Sequence, residues 1–313
     1  MRILFAGSPD IAVPSLEAVY RHDGIELAGV LTNPDSPKGR HGKTEPTDIA
    51  ESAQKMTGIP VLKPEKLDAS AREQVAALKP DLLVSFAYGH IFGPKFLALF
   101  PLGGINVHPS LLPKYRGPSP IQAALLNRDA ETGITVQMLA AEMDQGDILA
   151  AEKIELSGRE TAGSLSESAA QKAALLLVSV LMKIKDGTAV KTAQNHEEAV
   201  YCKLISRDDG LIDWSLSAAQ IEAKIRAFDP WPLCRTIHKG RELYILKADI
   251  FKGQIQEKSF GQVLGIDKEN GILIQTGDGI LSVTQLQYQA KKALAWRDFL
   301  NGARDFLGSQ LGN

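Results

Sequence analysis

Gly104-Ile105-Asn106-Val107-His108-Pro109-Ser110-Leu111-Leu112-Pro113-Lys114-Tyr115-Arg116-Gly117 is a short apolar strand running into a stiff loop. In an extended segment successive side chains point to opposite faces, so Asn106 and His108 emerge together while Val107 turns toward a core. An amide donor and a titratable imidazole are thereby aimed at one region. Asn can hydrogen-bond an oxygen that becomes negative in a transition state, and His can accept or hand on a proton near neutral pH. The pair suggests acyl-type chemistry. Two prolines, a serine and a glycine-containing turn order the loop that follows, and open α/β sheets place their active sites at that end of their strands.

Outward from this strand the chain alternates. Residues 3–6, 25–31, 82–86, 104–108 and 135–139 are short apolar runs, separated by helical stretches such as 13–20 and 68–78. That alternation predicts an α/β fold with a mostly parallel sheet and helices on both faces. Ser119 ahead of Pro120 supplies a capping hydroxyl and an N1 proline for a helix over 121–126. A long apolar-rich helix is expected over about 165–184, stopped by Asp186-Gly187.

A chain of 313 residues exceeds the usual single core, so two domains are expected. Residues 189–207 are largely polar and without a clear period. They read as a connection between a catalytic domain, 1–188, and a second domain, 208–313. After a helix at 217–227 the second domain shows short β-type runs at 241–248, 262–266, 271–275 and 280–286, with Asp278-Gly279 as a turn signal. A small barrel or sandwich is expected there, closed by an amphipathic helix over roughly 293–307 whose Trp296, Phe299 and Phe306 face inward.

Composition bounds the function. Apolar residues make up 44% and charged residues 23%, as in an average soluble protein, and no apolar run is read as approaching a membrane span, so no membrane is expected. The N-terminal apolar run meets Asp10 before a signal-length segment develops. Cys202 and Cys234 are too few for a disulfide scaffold, which suits a reducing, cytoplasmic location. The six histidines are scattered without ligand spacing, so chemistry without a metal is expected. A net charge of −2 gives no global basic field. Gly7 is followed by Ser8-Pro9-Asp10-Ile11-Ala12 rather than by glycines at dinucleotide spacing, which excludes a nicotinamide cofactor.

Two further stretches have readings that the residues alone leave open. Asp144, in Met143-Asp144-Gln145-Gly146-Asp147, follows the strand around Gln137, and in a parallel sheet its loop opens on the same end as His108. A carboxylate there can fix an imidazole tautomer and hold a proton-carrying water; Asp and Gly are equally the residues of an ordinary solvated turn. The stretch Asn33-Pro34-Asp35-Ser36-Pro37-Lys38-Gly39-Arg40-His41-Gly42-Lys43 is extended and cationic, suited to phosphates or simply to solvent. Lys114 and Arg116 stand where they either meet a phosphate or substrate or only flank the cleft.

Asn106-x-His108, Ser110-Leu111-Leu112-Pro113 and Met143-Asp144-x-Gly146-Asp147 together resemble the folate-dependent formyltransferases. The resemblance implies a catalytic set of Asn106, His108 and Asp144 that moves a formyl group from 10-formyltetrahydrofolate to an amine. It also implies a folate site where Tyr88, Gly89, Ile91 and Phe92 meet Ser110, Leu111, Leu112 and Pro113, with His90 at most at its edge. Phe5-Ala6-Gly7-Ser8-Pro9-Asp10, the cationic stretch, Ile212-Asp213-Trp214-Ser215 and Ile225-Arg226-Ala227-Phe228-Asp229-Pro230-Trp231-Pro232 are similar to the branch acting on methionyl initiator tRNA. That branch implies a Rossmann-like catalytic domain, an OB-like C-terminal β-barrel that helps hold tRNA, and a monomer. It also implies that Lys38, Arg40 and Lys43 enter the acceptor arm.

Overall fold

The computed structural model describes residues 1–38, 43–253 and 258–312. The chain divides into two compact units, one of residues 1–120, 131–155 and 166–202, the other of residues 121–130, 156–165 and 203–313. In chain order the first 185 residues give β1 (Arg2–Gly7), α1 (Val13–Arg21), β2 (Glu26–Leu31), β3 (Ser36–Lys38), β4 (Lys43–Glu45), α2 (Asp48–Gln54), β5 (Val61–Leu62), α3 (Ala69–Ala77), β6 (Leu82–Phe86), α4 (Pro94–Leu97), β7 (Gly104–His108), α5 (Pro120–Leu126), β8 (Glu131–Met138), β9 (Ile148–Glu155) and α6 (Ala162–Lys185).

The main sheet of the first unit has the order β5-β2-β1-β6-β7-β8-β9. Strands β1 and β6 lie at its centre with Ile3, Leu4, Phe5, Leu82, Leu83 and Val84 fully buried. Being covered on both faces, they read as unbroken apolar runs rather than alternations. β5, β2, β1, β6 and β7 pair in parallel, which is the expected Rossmann-like arrangement.

The far edge differs from expectation. β7 pairs with β8 antiparallel, in the register Asn106 opposite Gln137 and His108 opposite Thr135, and β8 pairs with β9 antiparallel. The loop after β8 therefore does not open at the carboxyl end of a parallel strand, as the sequence reading assumed. It is a hairpin loop that folds back over the face carrying Asn106 and His108. Met138 N–H donates to the Asp147 carbonyl at 2.9 Å, and a Cβ on Gly146 would lie 1.8 Å from the Met138 carbonyl oxygen. Only glycine allows that approach.

α6 passes the length and composition test for a membrane-crossing helix, against the expectation that no run approached that length. Its Leu165, Ala173, Leu177, Val180 and Leu181 are nonetheless at most 1% exposed, the pattern of a core helix. Within the first unit Gln171, Ala174 and Leu175 of α6 share a surface groove with Val13, Glu17 and Arg21 of α1.

In the second unit the chain continues through α7 (Ala218–Ala227), β10 (Cys234–His238), β11 (Arg241–Phe251), β12 (Val263–Asp267), β13 (Gly271–Gln275), β14 (Ile280–Tyr288), β15 (Leu294–Ala295) and α8 (Trp296–Gly302). Ser217 and Gln220 form a capping box that starts α7. The antiparallel order is β10-β11-β14-β13-β12, with β15 on β14. The C-terminal tail bridges the two edge strands: Val263 N–H donates to Ser309 at 2.9 Å and Gly312 N–H to Ile237 at 3.0 Å. The sheet thereby closes toward a barrel, which hides both edges. The final helix is shorter than the expected 293–307. It ends at Gly302, so Phe306 reaches the core from the following turns, packed edge-on to Phe299 at 5.0 Å, while Trp296 stays half-buried.

Candidate active site

β7 ends with Asn106 half-buried and His108 buried, as its pleat requires. Asp144 is brought to them by the folded-back loop, in a left-handed conformation with φ of 56°. Its Oδ1 is a shared acceptor. Asn106 Nδ2 stands at 3.4 Å, Gln137 Nε2 donates to it at 3.0 Å, and His108 Nδ1 lies 3.7 Å away. The second oxygen, Oδ2, accepts the backbone N–H of Gly117 at 2.8 Å. The three residues singled out in the sequence are thus in one place, with the carboxylate at the hub.

The other imidazole nitrogen fixes the tautomer. His108 Nε2 lies 2.8 Å from the Tyr115 carbonyl, a group that can only accept. Nε2 therefore carries a hydrogen, and Nδ1 is the nitrogen that faces Asp144. A proton on Nδ1 or on Asp144 makes that facing attractive. The pair is a place where one proton can be held and passed on.

The loop after β7 is pinned from below. Thr135 Oγ1 donates to the Ser110 carbonyl at 2.7 Å and accepts from Leu112 N–H at 3.1 Å. Ser110 is fully buried with its hydroxyl on the Lys114 carbonyl at 2.5 Å. Leu111 packs over Gly133, where a Cβ would meet it at 2.4 Å, and Leu112 is buried ahead of Pro113. Ser110 and Leu112 are thus committed inward, while Leu111 and Pro113 are half-buried.

The loop after β6 starts beside the same strand, with Ser85 in register with Asn106. Tyr88 is 2% exposed, in a cluster with Leu4, Phe96 and Phe100, and stacks on Phe92 at 5.4 Å. Burial pushes its hydroxyl up to about 12. Its side chain belongs to the core, and its carbonyl accepts from Asn33 Nδ2 at 3.3 Å. Gly89 has open space where a Cβ would stand, and Ile91 is 78% exposed. His90 is exposed and tilted against Tyr88 at 5.1 Å.

Lys38 and Lys43 sit opposite one another on the hairpin β3–β4, which the sequence reading had as a loop. Lys43 is exposed. Arg40 lies outside the described residues.

Four residues of the site were not anticipated as its members. Gln137 is a lone amide in the apolar run 134–139, the one signal that could have pointed to it. Gly117 contributes through its backbone, which no residue type announces. Gln194 and Tyr201 come from the polar segment taken as a connection; Gln194 is 6% exposed and sits beside Asp144 and Gly146. Arg116, for which a phosphate or substrate contact and a flank of the cleft were both open, is turned inward instead. It is 1% exposed, its donors taken up by Gln194, Tyr201 and His196 at 2.7–3.2 Å. Cys202 lies under the same loop, accepting from Ser119 N–H at 3.3 Å. Burial raises its thiol, and the Asp144 charge raises it further against that hydrogen bond.

Comparison with known proteins identifies the class. Residues 1–181 match the family described as Formyl transferase, and residues 204–304 match its C-terminal domain. The chain is 49% identical to a methionyl-tRNA formyltransferase of Treponema denticola, over 98% of both chains. The chain belongs to the methionyl-tRNA formyltransferase family. Among solved structures, the sugar 3N-formyl transferase WlaRD shares the fold with a TM-score of 0.66 at 20% identity, over 93% of this chain and 99% of that one. HypX from Aquifex aeolicus, in complex with tetrahydrofolic acid, gives 0.65 at 17% identity over 98% of this chain; this chain spans 48% of HypX.

Proposed function

We propose that the chain transfers the formyl group of 10-formyltetrahydrofolate to the α-amine of methionine esterified to initiator tRNA. The observation that carries the reading is the convergence of Asn106, His108 and Gln137 on one oxygen of Asp144, in a chain 49% identical to a methionyl-tRNA formyltransferase over nearly its whole length.

10-Formyltetrahydrofolate supplies the formyl carbon. Open backbone at Gly89 and exposed apolar surface at Ile91, beside the strand that registers with Asn106, suit a flat heterocycle. Ser110 and Leu112, whose side chains are buried, would serve through backbone and shape, and Leu111 and Pro113 through the surface they leave exposed.

The amine must be unprotonated to attack, which an α-amine with a pKa of about 8 allows near neutral pH. As its bond to the formyl carbon forms, negative charge develops on the formyl oxygen. Asn106 Nδ2 is placed to meet that charge, a role worth roughly 3–4 kcal/mol for one well-aimed donor. Asp144 and His108 Nδ1 take the amine's proton and return it to the folate nitrogen as the old carbon–nitrogen bond breaks. Bonds and protons balance: one C–N bond forms, one breaks, and one proton moves between the two nitrogens.

The hairpin carrying Lys38 and Lys43, with Arg40 between them, meets the acceptor arm. A cytoplasmic monomer without a membrane phase completes the proposal.

The test is an acceptor comparison. Charged initiator tRNA or an amino-sugar nucleotide is offered with 10-formyltetrahydrofolate. Formylated methionyl-tRNA is expected; formylation of the sugar alone would overturn the assignment of the acceptor.

A further inference from the structure

Arg116 reaches Asp144 through two amides, and the polarity of that chain is fixed at its start. Arg116 Nε and Nη2 donate to Gln194 Oε1 at 3.1 and 2.7 Å. A guanidinium has only donors, so the oxygen of Gln194 must face it. The Gln194 NH₂ group is thereby turned the other way, toward Gln137 Oε1 at 3.1 Å, the Asp144 carbonyl at 3.0 Å and the Gly146 carbonyl at 2.7 Å. Gln137, its oxygen occupied, must present Nε2 to Asp144 Oδ1, as it does at 3.0 Å. Every donor in the series points toward the carboxylate.

We infer that Arg116, Gln194 and Gln137 are positioning residues for the formyl transfer: the buried guanidinium sets the orientation of two amides, and these hold Asp144 as an acceptor facing His108. All three side chains are at most 6% exposed, so water does not compete to reset their direction. The same amide of Gln194 grips the backbone of the left-handed Asp144 turn from a segment 50 residues away in sequence. Such a conformation persists only where its surroundings determine it. The inference rests on the formyl-transfer reading and deepens it, because it names what keeps the acid–base residue in register with the imidazole.

Gln194→Glu tests the polarity of the series. The new carboxylate keeps a partner for Arg116 but has no hydrogen to give, so Gln137 turns its NH₂ toward it and its oxygen toward Asp144. The expected result is a kcat lower by about 10–100-fold with both KM values within about twofold; the Asp144 and Gly146 carbonyls lose their donor, so the unfolding midpoint falls as well, and the kinetics are read well below it. Gln137→Leu, which removes the last donor without touching Arg116, is expected to show the same split. In the double variant the losses are expected not to multiply, because both break one series. Wild-type kcat in Gln194→Glu or in Gln137→Leu, or losses that multiply in the double variant, would overturn the inference. Wild-type protein that forms no formylmethionyl-tRNA would instead overturn the formyl-transfer reading itself, so the two failures are told apart by the control.

Discussion

His108 donates through Nε2 to the Tyr115 carbonyl and turns Nδ1 to within 3.7 Å of Asp144 Oδ1. One edge of the ring is anchored to its own loop, and in the proposed reaction the other carries proton traffic with the carboxylate. His108→Ala removes that traffic. Turnover is expected to fall by about 10²–10⁴-fold, the range for a lost general acid or base, with tRNA and folate binding within about twofold. Steady-state kinetics beside equilibrium binding checks this; a loss confined to binding would contradict it.

The hairpin loop depends on Gly146. A methyl group there meets the Met138 carbonyl at 1.8 Å, a backbone atom that cannot swing aside. Gly146→Ala is expected to destabilise the first unit by about 1–3 kcal/mol, as overpacking does, and to reduce turnover more than an equally destabilising change remote from the site. Urea unfolding paired with kinetics decides the matter, and a variant with both properties unchanged would show that the loop does not need this approach.

The strand Gly104–His108 was legible because its apolar run, its pleat and its proline-rich exit agree. The helix over 217–227 was legible in outline, and in the fold Ser217 and Gln220 cap its start. Asp144 was legible as a residue, through its resemblance to a family, but its route was not, because an antiparallel β8 leaves no mark in an apolar run that reads equally well as parallel. Gln194 left no mark either. Its meaning lies in partners at separations such as the 57 residues to Gln137, and a buried amide in a polar stretch looks like a surface residue until the chain is folded. The tail that joins β12 to β10 does so through backbone groups, which side-chain patterns do not report.

In the second unit, His238 is 3% exposed, its Nδ1 paired with the Tyr288 hydroxyl at 2.6 Å and its Nε2 without a partner among the described residues. Burial lowers its pKa below the ordinary histidine value; nearby Asp305 opposes that, and Lys239 and Arg241 add to it. The unfolded chain therefore binds the proton more readily than the folded one. Stability is full above the ordinary histidine value and is lost as pH falls through the lowered one. Urea midpoints are expected to fall as pH is lowered below the ordinary histidine value of about 6.5 and to be level above it as far as this group is concerned, and His238→Leu is expected to flatten part of that fall. An unaltered slope in the variant would place the dependence elsewhere.

The cationic hairpin predicts a salt signature. Arg40→Ala and Lys43→Ala are each expected to weaken tRNA binding and to lower the slope of log affinity against log salt by about one. Filter binding across salt concentrations reads it; unchanged slopes in both would leave the hairpin a surface feature.

In the proposed reaction the carboxylate of Asp144 works with His108 in moving the proton. The most direct test is the single-turnover rate of formylation of charged initiator tRNA by Asp144→Asn, which keeps the shape and removes the proton acceptor. The rate is expected to be lower by about 10²–10⁴-fold with unchanged binding of both substrates; a rate within about twofold of wild type would show that the proton moves without this carboxylate.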